Sequence, residues 1–159
     1  SAELVAETLR GRPGWTADVA DARGTGRRTL EGYDGFVLGS SIAMGRWKGS
    51  ARRMLGKLAA LGRPTALFIT AAGYLTGKSP GDPPDAPVTK TPDQLEAEAI
   101  AKYVAPVVPP TGLAPVSVRA FGGRMVMFGK ELVSNWNGEA IAAWARTLPD
   151  LLKQAPAPR

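Results

Sequence analysis

The chain has 159 residues, of which 44% are hydrophobic and 21% are charged, values typical of one globular domain. It contains no Cys and no His, which excludes disulfides, thiolate nucleophiles, imidazole bases and metal sites built on either residue. Lys and Arg number 20 against 14 Asp and Glu, so the formal net charge is +6.

Hydrophobic spacing predicts that helices and strands alternate along the chain. In chain order we expect a helix over residues 1–10, an edge strand over 15–21, a helical turn around Leu30, a buried strand from 36, a helix over 50–61, a strand over 65–70, a helix over 92–104, a strand over 115–120, a short helix over 125–133 and a closing helix over 138–152. Such alternation is typical of a doubly wound parallel α/β sheet. We predict one domain over residues 1–153 and a frayed tail over 154–159.

The most informative stretch is residues 33–53, YDGFVLGSSIAMGRWKGSARR. Its short apolar run, residues 36–38, fits a strand buried on both faces. Small residues then offer backbone amides and hydroxyls, and a loop carrying Met44 and Trp47 leads into a basic helix. Because ligands of open α/β sheets bind beyond the carboxyl ends of the strands, this loop is the predicted binding loop.

This stretch resembles the third strand and flavin loop of flavodoxin-domain proteins, in the branch that includes menaquinone-dependent protoporphyrinogen oxidase. The positions that fit the branch pattern are Tyr33, Asp34, Gly39, Ser40, Ile42 and Gly45. The resemblance implies a three-layer flavodoxin-like fold with strand order 2-1-3-4-5 and non-covalently bound FMN. It also implies a protoporphyrinogen- or quinone-linked redox substrate, or an electron-transfer partner.

The opening residues, Ser1-Ala2-Glu3-Leu4, resemble the start of the helix that follows the phosphate loop in flavodoxin-like chains. Ser1 matches the last hydroxyl residue of that loop. We therefore expect the first strand and most of the loop, roughly 10 to 15 residues, to precede Ser1.

The resemblance implies a set of cofactor-binding residues on three segments, with no metal and no catalytic side chain. They are Ser1, Ser40, Ser41, Ile42, Ala43, Met44, Gly45, Trp47, Ala71, Ala72, Gly73, Tyr74 and Gly77. The last five open the long Gly- and Pro-rich loop 71–91, which relatives use to cover the flavin.

Several of these residues also have simpler roles. Met44 and Trp47 either pack near the isoalloxazine or form hydrophobic cover at the sheet edge. Ser40 and Ser41 either donate to the flavin or cap the turn. Tyr74 either stacks on the ring or is an exposed loop aromatic.

The basic charge is compatible with a solvated surface, an anionic substrate or peripheral association with an anionic membrane. The densest cationic cluster is Arg46, Lys48, Arg52 and Arg53. Nucleic acid is not expected, because basic and aromatic residues do not interleave as in a binding groove. No apolar run is long enough to span a bilayer, so we expect a cytoplasmic, at most membrane-peripheral protein.

An alternative function of a different class is a flavodoxin-like binding or assembly module that holds no flavin. The branch also carries a helical insertion before its last helix, which would fall at residues 124–135. Here that segment is short and only modestly apolar.

Overall fold

A computed structural model describes residues 1–72, 77, 82–83 and 85–154, which form a mixed α/β structure. The helices are α1 (Ala2–Arg10), α2 (Arg27–Leu30), α3 (Gly49–Leu61), α4 (Pro92–Ala99) with a π-helical continuation (Ile100–Val104), a 3-10 turn (Pro109–Thr111) and α5 (Gly138–Gln154). The strands are β1 (Phe36–Ala43), β2 (Arg46–Trp47), β3 (Thr65–Thr70), β4 (Ser117–Phe121), β5 (Arg124–Met127) and β6 (Lys130–Ser134).

The central sheet has four strands in the order β2-β1-β3-β4 and is mostly parallel. β1 pairs in parallel with β3, and β3 pairs in parallel with β4. β2 is a two-residue antiparallel return of β1. The hairpin β5–β6 stands apart as a second, two-stranded sheet.

The central strand β3 is buried on both faces, as its unbroken apolar run predicts. Leu67 and Ile69 face one hydrophobic core, which α3 and α4 complete, because alternate side chains of a strand point to opposite faces. Ala66 and Phe68 face the other core, which α1 and α5 complete. Helices therefore cover both faces of the sheet.

Three aromatic residues, Phe68, Phe121 and Trp144, lie at the centre of the second core. Phe68 also contacts β1 at Gly39. The ring centroid of Phe68 lies 6.2 Å from that of Phe121 and 5.8 Å from that of Trp144. A Cβ at Gly39 would lie only 2.2 Å from Cζ of Phe68. Only a residue without a side chain lets the ring lie on the β1 backbone.

Most predicted elements are confirmed, with small changes at their ends. The strand at 65–70 and the helical turn at Leu30 are confirmed, and the helix predicted from residue 92 begins with a capping box between Thr91 and Gln94. The last helix continues to Gln154, which was predicted to begin the tail; residues 155–159 lie outside the described residues.

The edge strand predicted for residues 15–21 is wrong: this segment has no strand partner among the described residues. A strand forms only where a neighbour can complete its hydrogen-bond ladder, and a groove separates this segment from β1. One of its carbonyls accepts a side-chain hydrogen bond instead, since Arg10 Nε donates to the Ala17 carbonyl at 2.7 Å. Over the described residues the sheet accordingly has three parallel strands, one fewer than the four that were expected in this chain.

The short helix predicted for residues 125–133 is also wrong, because these residues form the hairpin β5–β6. Phe128 and Gly129 both have positive φ, 51° and 74°, which is the geometry of a two-residue type I′ turn. The Phe-Gly step and the β-branched residues around it therefore favour a ribbon over the helix expected from apolar content.

The packing of Phe68 on Gly39 gives a direct test of the core. Gly39→Ala should lower the free energy of unfolding by about 1–3 kcal/mol or more, because the added methyl overlaps the ring. Gly56→Ala, in the open on helix α3, is the matched control and should raise it by up to about 1 kcal/mol. Urea denaturation measures both, and equal effects of the two substitutions would contradict the proposed packing.

Candidate functional site

The three parallel strands end at one edge of the sheet. Ser41 of β1 is in register with Thr70 of β3, and Thr70 is in register with Phe121 of β4. The segments that follow these strands therefore meet at this carboxyl edge, the usual place for ligands in open α/β sheets.

A pocket of about 440 Å³ lies at the carboxyl edge, within the range of small-molecule sites. Ser1, Thr70, Gly123, Arg124 and Trp136 line it. The indole Nε1 of Trp136 donates to Ser1 Oγ at 3.1 Å, and the Arg124 guanidinium lies 5.2 Å from the centre of a Trp136 ring. Two hydroxyl residues and a guanidinium thus surround one space, and one of them, Ser1, is the N-cap of α1.

Two glycines hold the hairpin base against this pocket. Gly123 N donates to Asn135 Oδ1 at 2.9 Å, and Asn135 N donates to the Gly123 carbonyl at 3.0 Å. A Cβ at Gly122 would lie 1.8 Å from the Asn135 carbonyl oxygen, so any side chain there would displace the hairpin. The Gly122-Gly123 pair therefore allows the backbone after β4 to lie directly against residue 135.

Four predicted loop residues belong to β1 itself: Ser40, Ser41, Ile42 and Ala43. The Ser40 hydroxyl is buried, donates to the Ser41 carbonyl and accepts from Lys48 N. Its hydrogen bonds are therefore made within the turn. Ile42 is half-buried against the α3–α4 core, whereas Ala43 is exposed at the strand end.

The two large apolar residues of this segment have opposite surroundings. Met44 is fully exposed, at 100%, and with Gly45 forms the turn between β1 and β2. Trp47 is buried in the α3–α4 core, where its Nε1 donates to the Tyr103 carbonyl at 2.7 Å. That carbonyl lies in the last turn of the π-helical segment.

The third predicted segment follows β3. Ala71 is buried and its N–H extends the ladder by donating to the Phe121 carbonyl at 3.0 Å, while Ala72 lies beside Gly123. Gly77 packs against Val88 and Leu95, on the α4 side. Gly73 and Tyr74 lie outside the described residues.

A larger groove, of about 630 Å³, runs along β1 away from the carboxyl edge. Residues 14–20 form one wall, residues 36–39 of β1 form the other, and apolar side chains of α1 and α3 line its sides. Phe36 N donates to the Pro64 carbonyl, toward β3. Since backbone groups alternate in direction along a parallel ladder, those of Val37 and Gly39 face the groove.

The shifted pKa values lie near the groove and away from the carboxyl edge. The hydrogen bond that Tyr33 donates to Asp18 raises the pKa of Tyr33, and both residues line the groove. The hydrogen bonds from Arg23 hold the pKa of the exposed Asp21 at about 2.

Over the described residues, no group of acidic side chains could hold a metal ion. The same residues include no helix long and apolar enough to cross a bilayer.

Sequence patterns alone did not identify Thr70, Gly123, Arg124 and Trp136 as pocket residues. Ligands of open α/β sheets bind beyond the carboxyl ends of the strands, and this rule could have identified Thr70 and Arg124. Thr70 ends the apolar strand 65–70, and Arg124 follows β4 after two glycines. No sequence pattern indicates Trp136, because it reaches Ser1 only through the fold of the hairpin.

Comparisons with protein-family models, curated proteins and solved structures found no match for this chain. The geometry and chemistry of the carboxyl edge and the resemblance of residues 33–45 are the indications of function that this chain offers.

The role of Trp47 can be tested separately from any ligand. Trp47→Phe keeps most of the buried area but leaves the Tyr103 carbonyl without this donor, so the free energy of unfolding should fall by about 1–3 kcal/mol. Trp15→Phe is the matched control, because the Trp15 indole N–H has no hydrogen bond within the described part of the chain. If denaturation shows no difference between the two variants, Trp47 is not held by this bond.

Proposed function

We propose that this protein is an FMN-binding, flavodoxin-like oxidoreductase or electron-transfer protein. The observation that carries the proposal is the pocket at the carboxyl edge, where Ser1, Thr70 and Arg124 converge. Hydroxyls, a guanidinium and the first turn of a helix are the groups that recognise a phosphate. The donor set thus fits the phosphate end of FMN.

The sheet supports the flavodoxin-like order within this proposal. β1, β3 and β4 are adjacent and parallel, as the third, fourth and fifth strands of the order 2-1-3-4-5 are. The groove lies between β1 and residues 14–20, at the place that this order gives to its first strand. Three of the five strands and the position of a fourth therefore agree with the proposed topology.

FMN, when bound, supplies the redox chemistry, which suits a chain without His or Cys. The residues of this chain would bind and orient it. Arg124, held over Trp136, would neutralise the phosphate, and the backbone at Ser41 and Ala71 would border the ring. Ser40 fixes the turn beneath this edge through its two hydrogen bonds.

The resemblance extends the proposal to a protoporphyrinogen- or quinone-linked substrate, or to a protein electron partner. The hairpin β5–β6 occupies the position of the helical insertion of that branch and differs from it in structure.

The phosphate contact can be tested by titrating FMN and following the quenching of its fluorescence. Arg124→Gln should weaken FMN binding by about 10- to 100-fold, because it removes a hydrogen-bonded charge from the phosphate. Arg52→Gln, on the exposed face of α3, is the matched control and should leave the affinity unchanged. Equal affinities of both variants and the unchanged chain would reject Arg124 as a phosphate ligand.

A second function is favoured by the groove, which is larger than the pocket at the carboxyl edge. A binding or assembly module that holds no flavin would use the outward backbone groups of β1 to accept an extended strand. The same titration distinguishes the two functions. A chain that takes up no FMN under any condition supports the module, and tight uptake by the unchanged chain rejects it.

A further inference from the structure

Helix α3 presents a cationic face to the solvent. Four buried side chains of this helix pack in the core that α3 shares with α4, namely Ala51, Met54, Leu55 and Leu58. On the opposite side of the helix lie six exposed residues, Gly49, Arg52, Arg53, Gly56, Lys57 and Ala60. We call these six residues the α3 outer face.

The positive charge of the α3 outer face has no acidic counterpart in the surrounding sequence. Residues 35–81 contain seven Lys and Arg and no Asp or Glu. Arg52, Arg53 and Lys57 form no ion pair within the described ranges. Lys57 Nζ donates to the Thr25 carbonyl at 3.2 Å, a contact that leaves its charge without a counterion.

The charges are also placed where they lower the stability of α3. Lys48 is the N-cap residue, yet its side chain has no acceptor for a cap and its charge opposes the positive end of the helix dipole. The Asp21 carboxylate near Lys48 is paired with Arg23, at 2.7 Å. Arg53 and Lys57 lie four residues apart on the helix, where like charges repel. Folding therefore does not explain these cations.

Gly56 is a further choice that the folded chain does not require. It lies within α3, where glycine is less favourable than alanine. A Cβ at Gly56 would have no neighbour within 4 Å beyond the adjoining residues and its own helical backbone. The helical repeat aligns Gly49, Gly56 and Ala60 along the centre of the α3 outer face, with cations on both sides. An unexplained glycine between unpaired cations indicates close contact with something outside the folded chain.

We propose that the α3 outer face is a docking surface for an acidic helix of a partner protein. Carboxylates of that helix would pair with Arg52 on one side, and with Arg53 and Lys57 on the other. The seven residues between Gly49 and Gly56 span about two helical turns, and small residues at the contact let two helices approach closely. The inference is independent of flavin binding.

A protein helix suits this face better than a lipid bilayer or a nucleic acid. The α3 outer face contains no large apolar side chain that could enter a bilayer. It also offers no aromatic ring for a base to stack on, since the adjacent Trp47 is buried. Close backbone contact at Gly56 is a property of helix packing.

The test is a titration with a labelled synthetic helical peptide, followed by fluorescence anisotropy. The peptide carries Glu on both sides of an Ala stripe, and its control carries Gln in place of every Glu. The full chain should bind the Glu peptide at least about tenfold more tightly than the Gln peptide, because only the Glu peptide can pair with the cations. This difference should shrink between roughly 0.05 and 0.5 M salt, as screening weakens the charge pairs.

Two variants separate helix docking from simple charge attraction. Gly56→Gln changes no charge and should keep or raise thermal stability, yet should weaken binding of the Glu peptide at least about tenfold by obstructing the stripe. Arg53→Gln/Lys57→Gln should weaken binding by a similar factor, because it removes two of the pairing cations. The matched control is Arg146→Gln/Lys153→Gln on α5, which removes the same charge from the other side of the sheet and should change binding by less than about twofold.

The proposal is wrong if the Glu and Gln peptides bind equally, if Gly56→Gln binds the Glu peptide as well as the unchanged chain does, or if the α5 control loses as much affinity as Arg53→Gln/Lys57→Gln. Duplex DNA or phosphatidylglycerol vesicles that bind more tightly than the Glu peptide would also overturn it, and would assign the face to nucleic acid or to lipid.

Discussion

The packing of Phe68 against the bare backbone of Gly39 is the contact on which the rest of the structure depends. It lets β1 and β3 pair closely while Phe68 reaches Phe121 and Trp144, and so joins the sheet to α5. Because Leu67 and Ile69 point the other way, the same strand also anchors α3 and α4. A single buried strand thus sets the position of both helical layers.

The carboxyl edge follows from that arrangement. Three parallel strands in register bring Ser41, Thr70 and Phe121 to one line. The Gly122-Gly123 step then allows the hairpin to fold back, so that Arg124 and Trp136 meet Ser1. The proposed phosphate pocket lies on this edge.

Hydrophobic spacing predicted the helices and the central strand well, because long periodic segments report burial directly. Hydrophobic spacing failed where the presence or absence of a paired neighbouring strand determines the local structure. Residues 15–21 alternate like a strand but have no neighbour for a ladder, and residues 125–133 are apolar like a helix but contain the Phe-Gly turn. The loop after β1 was expected to begin at Gly39, yet β1 continues to Ala43 because β2 returns along it. Trp47 was expected either near the flavin or as hydrophobic cover at the sheet edge. Local sequence could not decide between the two, because its burial involves Tyr103, 56 positions away.

The absorption spectrum of the purified protein tests the central claim most directly. Bands near roughly 375 and 450 nm, with FMN released on denaturation, are the expected result. A colourless protein that remains colourless after incubation with FMN would contradict the flavin proposal and leave the groove beside β1 as the principal binding surface.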